Sequence, residues 1–106
     1  MGMPVDVSNL DDITRLRDAA YSAFGEVSVL MNNAGTAPGG GPWEHIHRWR
    51  HVLEVNLWGV INGVQSFTPR MLEQGMPCAI SVSTNSARVR CAAHLPTIPS
   101  TSSIIP

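Results

Sequence analysis

Apolar residues at Ile13, Leu16, Ala20, Ala23 and Phe24 recur at helical steps and predict an amphipathic helix over Leu10 to Phe24. Ser8, with an acid following at Asp11, reads as its N-cap, and Gly25 as its stop. Ahead of it, Val5 and Val7 bracket Asp6 in what reads as the last residues of a strand, with nothing upstream to supply the rest. Val27 to Met31 is a short apolar run bounded by Gly25 and Asn32, the pattern of a strand buried on both faces. The glycine-rich stretch from Gly35 to Pro42 must be an irregular loop, and it stands at the carboxyl end of that strand, where open α/β sheets place ligands.

A longer helix starts at Pro42 or soon after. From about Ile46 the stripe Trp49, Val52, Leu53, Asn56, Val60, Val64, Phe67 and Met71 holds one face through to Glu73. Gly59, Gly63 and Pro69 are expected to bend or weaken it, and its apolar character on more than one face between Val52 and Val64 calls for a cover beyond its own sheet. Gly75 ends it, and Cys78 to Ser83 reads as the next strand. Two strands joined by so long a crossover require a parallel pair. From Thr84 to Pro106 neither periodicity survives among the prolines, serines and threonines, which predicts an irregular, disordered tail. The expected organisation is one partial α/β domain over 1–83 and a tail over 84–106.

Composition narrows the function classes. Hydrophobic residues are 43% and charged residues 14% of the 106, so the chain has the material for a core. A net charge of -1 gives no electrostatic reason to expect nucleic acid as a partner. The run Val52 to Val64 is broken by Glu54, Asn56 and Asn62 and is too short to span a bilayer. Cys78 and Cys91 lack metal-ligand spacing and no signal peptide precedes them, which points to a reduced, cytoplasmic setting. His47 and His51 share a helix face and offer a rival metal-binding reading, but Arg48 and Arg50 beside them repel a cation, so surface histidines are expected and no metal site. Trp43, Trp49 and Trp58 are expected in the core or at subunit contacts.

Asn32-Asn33-Ala34-Gly35 after a buried strand, followed by Val55-Asn56-Leu57-Trp58-Gly59 inside a long helix, resembles the short-chain dehydrogenase/reductase family over roughly residues 4 to 82. The resemblance implies a partial Rossmann fold, parallel strands with crossover helices, truncated at both ends. It implies NAD or NADP as cofactor, and hydride transfer between the nicotinamide and a carbonyl or alcohol. It implies that Asp6 accepts a hydrogen bond from the adenine amino group with Val7 packed beside it. It implies further that Asn33, Ala34 and Gly35 let backbone approach the cofactor ribose, and that Asn56 marks a helix distortion serving a catalytic proton relay. The resemblance also makes the 46–74 helix a surface for pairing with itself or with a full-length relative.

The same family opens with a glycine-rich turn for the pyrophosphate, and no G-x-x-x-G-x-G occurs here. Its proton donor is a Tyr assisted by a Lys four residues on, yet all seven basic residues are Arg and Tyr21 stands alone in the wrong helix. Ser83 or Ser86 is left as a candidate for the family's substrate-orienting Ser. With strands in the family order 3-2-1-4-5, Val5 to Val7 is the third strand, and the two that separate it from Val27 to Met31 are missing. The expectation is an oxidoreductase fragment, inactive alone and with doubtful cofactor binding, or a helix-mediated interaction module.

Overall fold

In the computed structural model, residues 1–37, 43, 45–82 and 87–91 are described, the last segment by its backbone alone. Helix α1 spans Leu10–Phe24, as its periodicity predicts. Its cap is Asn9 rather than Ser8: Asn9 Oδ1 accepts from the Asp11 N–H at 2.9 Å, and Ser8 turns back to Asp6. Gly25 closes the helix in the left-handed region, φ 79°, where a glycine has no side chain to strain. The inward face carries Ile13, Leu16 and Tyr21, while Phe24 stays 64% exposed on the last turn.

Strand β1 is Val29–Asn32 and β2 is Cys78–Val82, paired in parallel from Val29 with Ala79 to Asn32 with Val82. The crossover between them holds α2 (Ile46–Leu53), one π-helical turn (Glu54–Trp58) and α3 (Gly59–Glu73), contiguous along the chain. A third strand, β3 (Ala87–Cys91), adds antiparallel to β2 and completes the order β1-β2-β3. Part of the predicted irregular tail is therefore backbone in the sheet: Arg88, Val89 and Arg90 alternate in type as a strand can, a period too short for its composition to announce. The remaining tail residues and the candidates Ser83 and Ser86 lie outside the described residues.

Among the described residues the core lies on one face of this sheet. Ile13 and Tyr21 from α1 and Phe67 and Met71 from α3 close over Cys78 and Ile80 of β2, with Val5, Val7 and Leu30 at the margin. On the opposite face Val29 and Met31 remain 57% and 66% exposed, so β1 is not buried on both sides as its composition predicted. An unbroken apolar run is compatible with two covered faces, but cover has to come from elsewhere in the fold. Val5 to Val7 is likewise no strand: among the described residues no neighbour pairs with it, and Asn62 instead ties it to the helix, its Nδ2 donating to the Val7 and Ser8 carbonyls at 3.0 and 3.3 Å.

Gln74, just past α3, fastens the two helices to the start of the sheet. Its Oε1 accepts from Tyr21 Oη at 3.0 Å and from the Val27 N–H at 3.2 Å, and its Nε2 donates to the Val27 carbonyl at 2.8 Å. Arg70 lies 4.4 Å over the Tyr21 ring. Burial pushes the Tyr21 hydroxyl's pKa up, with the Arg70 charge opposing. Gln74→Ala strands three polar groups together and is expected to cost about 2 kcal/mol in urea unfolding, roughly the penalty of part-buried groups losing their partners.

Candidate functional site

The π-helical turn falls where Asn56 sits, and Asn56 reaches across to the loop after β1. Its Oδ1 accepts from the Thr36 N–H and its Nδ2 donates to the Thr36 carbonyl, both at 2.7 Å. One amide thus satisfies both backbone groups of a loop residue. These two bonds hold the exposed Asn56 side chain to a partner 20 positions away. Between β1 and this bracket, Asn33, Ala34 and Gly35 form the exposed turn.

Asn32 anchors the turn from inside. Its Nδ2 donates to the Ser81 carbonyl at 3.3 Å, linking the carboxyl ends of β1 and β2. Gly63 faces its Oδ1 so closely that a Cβ there would collide with it, so the helix presses directly on the strand end. A β-carbon on Gly59 would come within 2.8 Å of Val7 Cγ2, so the second helical glycine serves a similar contact. Instead of weakening the helix idly, both glycines let it approach the residues on which the site is built.

Asp6 stands apart from this turn. Its Oδ1 accepts from the Ser8 N–H at 2.9 Å and from Ser8 Oγ at 2.7 Å, and its own N–H donates to Asp12 Oδ2 at 3.0 Å. The Ser8 hydroxyl, and next its N–H, hold the carboxyl below the usual aspartate range. Asp6 faces a concavity shared with Trp58 and Asn62, whereas Ala34, Gly35, Thr36 and Asn56 line another with Val82. Val7 joins Asn33 and Ala34 along a third cleft. The structure therefore gathers Asn33, Ala34, Gly35 and Asn56 at one end of the sheet and puts Asp6 on the flank of the helix. Thr36, Asn62 and Gly63 were not singled out by sequence reasoning as site partners. An amide in mid-helix beside a glycine, as at Asn62-Gly63, is the signal that was there to use.

His45 and His47 stand at the start of α2, and His51 in its last turn. His45 and His47 stack with ring centroids 5.5 Å apart, and among the described residues no three His, Cys, Asp or Glu side chains stand close enough to hold a metal. No helix of the described residues is long and apolar enough to cross a membrane.

Comparison with known proteins extends these local features along the chain. The family model for short chain dehydrogenases matches residues 1–96. The chain is 40% identical over 75 residues to 1-deoxy-11-beta-hydroxypentalenate dehydrogenase of Streptomyces arenae, covering 68% of this chain and 27% of that protein. It is 35% identical over 80 residues to 3-alpha-(or 20-beta)-hydroxysteroid dehydrogenase of Mycobacterium bovis, covering 74% and 31%. Among solved structures, a short chain dehydrogenase/reductase from Burkholderia phymatum in complex with NAD superposes with a TM-score of 0.74 at 43% identity, over 77% of this chain and 30% of that one. The chain thus spans under a third of the length of each of these relatives. The parallel β1–β2 crossover, the Asn-Asn-Ala-Gly turn at the carboxyl end of β1 and the match over residues 1–96 place this chain in the short chain dehydrogenase family.

Proposed function

We propose that the turn at Asn33-Ala34-Gly35 and the Asn56 bracket are part of a nicotinamide-dependent oxidoreductase site for hydride transfer to or from a carbonyl or alcohol. We infer also that this chain alone does not complete that reaction. The observation carrying the first statement is the Asn56–Thr36 bracket, which fixes the loop at the carboxyl end of β1 in a chain of this family. NAD or NADP would supply the hydride chemistry when bound. On that reading Asn33, Ala34 and Gly35 hold the ribose and Asn56 orders the loop and serves the proton relay. Asp6, with Val7 beside it, takes the adenine amino group on its remaining acceptor capacity.

The fit extends to the nucleoside and stops there. Helix α1 opens with Asp11 and Asp12 in its first turn, charges that oppose a pyrophosphate at that terminus. A proton donor is lacking in the same sense: the sequence contains no Lys, and Tyr21 Oη is committed to Gln74 in the core. The test is titration with NADH followed by fluorescence, and a carbonyl panel for turnover. The expected outcome is no turnover and no saturable binding; saturable binding with turnover overturns the second inference.

A second reading, association through the crossover helix, is favoured by one observation. Ile46, Trp49, Leu53 and Leu57 follow at helical steps and are 72%, 38%, 51% and 50% exposed. Such a stripe suits self-association or pairing with a full-length relative in the cytoplasm. Sedimentation is expected to show concentration-dependent association that Leu53→Glu abolishes, with the melting temperature of the monomer unchanged. A monomer at every concentration removes this reading.

A further inference from the structure

Strand register brings together the two cysteines of the sequence, which their spacing along the chain does not. Cys78 opens β2 and Cys91 closes β3, and the antiparallel ladder between these strands sets the two residues directly opposite each other. The Ala79 N–H donates to the Ser28 carbonyl, so Ala79 turns its backbone groups toward β1. Its neighbour Cys78 therefore turns its own toward β3, which makes Cys78 with Cys91 a hydrogen-bonded pair of the ladder. Facing Cα atoms of such a pair stand about 5.5 Å apart, inside the usual disulfide span of about 4.4–6.8 Å. Facing residues also share one face of the sheet, which at Cys78 is the core face.

The surroundings suit a covalent tie at this point. Cys78 is 7% exposed, and its Sγ donates to the Met71 carbonyl at 3.9 Å, where β2 meets the last turn of α3. A sulfhydryl is a weak donor, so little hydrogen bonding is given up when the S–H is lost. β3 is an outer strand of the order β1-β2-β3, and the cysteine pair lies at the end of the β2–β3 ladder away from the connection 83–86. Ladder ends fray before ladder centres. A bond between residues 78 and 91 closes the ladder at the end that the chain itself leaves open.

We propose that Cys78 and Cys91 are a reversible redox site, joining as a cross-strand disulfide that fastens β3 to β2, with a low-molecular-weight disulfide such as oxidised glutathione as the oxidant. The Cys91 thiolate, at the end of the outer strand, attacks one sulfur of the oxidant, releases one glutathione thiolate and is left as a mixed disulfide. The Cys78 thiolate then attacks the Cys91 sulfur, forms the new S–S bond and releases the second glutathione thiolate. Each cysteine gives up one proton and one electron, and the oxidant is reduced to two thiols. Under a reducing poise the pair stays open, and it closes as the poise becomes oxidising, the usual behaviour of disulfides outside secreted proteins. No step depends on nucleotide binding at the Asn56 turn.

The full 106-residue chain is reduced, equilibrated in a series of glutathione redox buffers, quenched with acid, alkylated and followed by mass spectrometry. The expected product is a monomer lighter by two hydrogens, with both cysteines protected from alkylation and a tryptic digest that joins peptides 71–88 and 91–106. The equilibrium constant for closure is expected to be about tenfold or more larger in buffer than in urea, because the fold holds the two residues face to face. Amide exchange over Ala87 to Cys91 is expected to slow about tenfold on oxidation. In Cys91→Ser the oxidant is expected to leave that exchange unchanged. Should the variant fail to fold, the comparison of the oxidised and reduced parent chain decides alone. Closure no stronger in buffer than in urea, glutathione adducts or intermolecular dimers in place of the internal bond, or β3 amides that exchange equally in the two states would each overturn the proposal.

Discussion

Met71→Ala is expected to remove a large fraction of the chain's folding stability. Met71 is the one large side chain among the described residues with 0% exposure, and it sits where α3 meets Tyr21, Phe67, Cys78 and Ile80. Truncating such a methionine removes apolar contact and leaves a cavity, at a cost of about 2–5 kcal/mol. Small domains have only about 5–15 kcal/mol to lose, and among the described residues the core of this one lies on a single face of its sheet. The four residues of β1 and the five of β2 cannot hold together without the helix that Met71 anchors. Circular dichroism and urea unfolding check this. Phe24→Ala, at a site 64% exposed, is the control, expected to cost under about 0.5 kcal/mol. A Met71→Ala chain melting cooperatively within about 2 °C of the parent shows the core to lie elsewhere.

Gly63→Ala is expected to destabilise the protein although it replaces glycine by alanine inside a helix. In an unconstrained helix the exchange stabilises by roughly 1 kcal/mol. Here the new Cβ meets Asn32 Oδ1, on a side chain whose Nδ2 donates to the Ser81 carbonyl. Either the amide rotates and the Ser81 bond breaks, or the helix lifts from β1. The net cost is expected to be about 1–3 kcal/mol, from an overpacked contact and a part-buried polar group left without its partner. The reversal of sign is what makes the experiment informative, and a double-mutant cycle sharpens it. Asn32→Ala is expected to remove the penalty, so that the alanine at 63 becomes neutral or favourable in its presence. A stabilised Gly63→Ala single variant would mean that helix and strand end do not touch as described.

The stripe on the crossover helix shows where periodicity stops being a guide. From Val60 through Phe67 to Met71 its predicted inward positions are at least half-buried, and Met71 and Phe67 are the centre of the core. Upstream, Trp49 and Leu53 belong to the same predicted face yet stay 38% and 51% exposed. The intervening π turn carries one residue more than an α turn, which rotates everything before it by about 100° around the axis. Helical periodicity assumes a constant step, so a single inserted residue turns Trp49 and Leu53 toward solvent while Val52 stays half-buried. The motif at Asn56 was legible in the sequence; its bond to Thr36, 20 positions earlier, was not, since Thr36 carries no signal beyond its place in a loop.

Local physical chemistry sufficed for α1, for the crossover helix and for the parallel relation of β1 and β2, because each follows from near-neighbour spacing or from the length of a connection. Composition sufficed for the absence of Lys and for the lone Tyr. Tertiary structure alone decided which face of β1 is covered, that Val5 to Val7 lies on a helix instead of in the sheet, and that Asp6 stands away from the Asn33 turn. Each of those depends on which partner is present in space. A strand pattern states what a segment can bury or pair, and only the assembled neighbours determine whether it does.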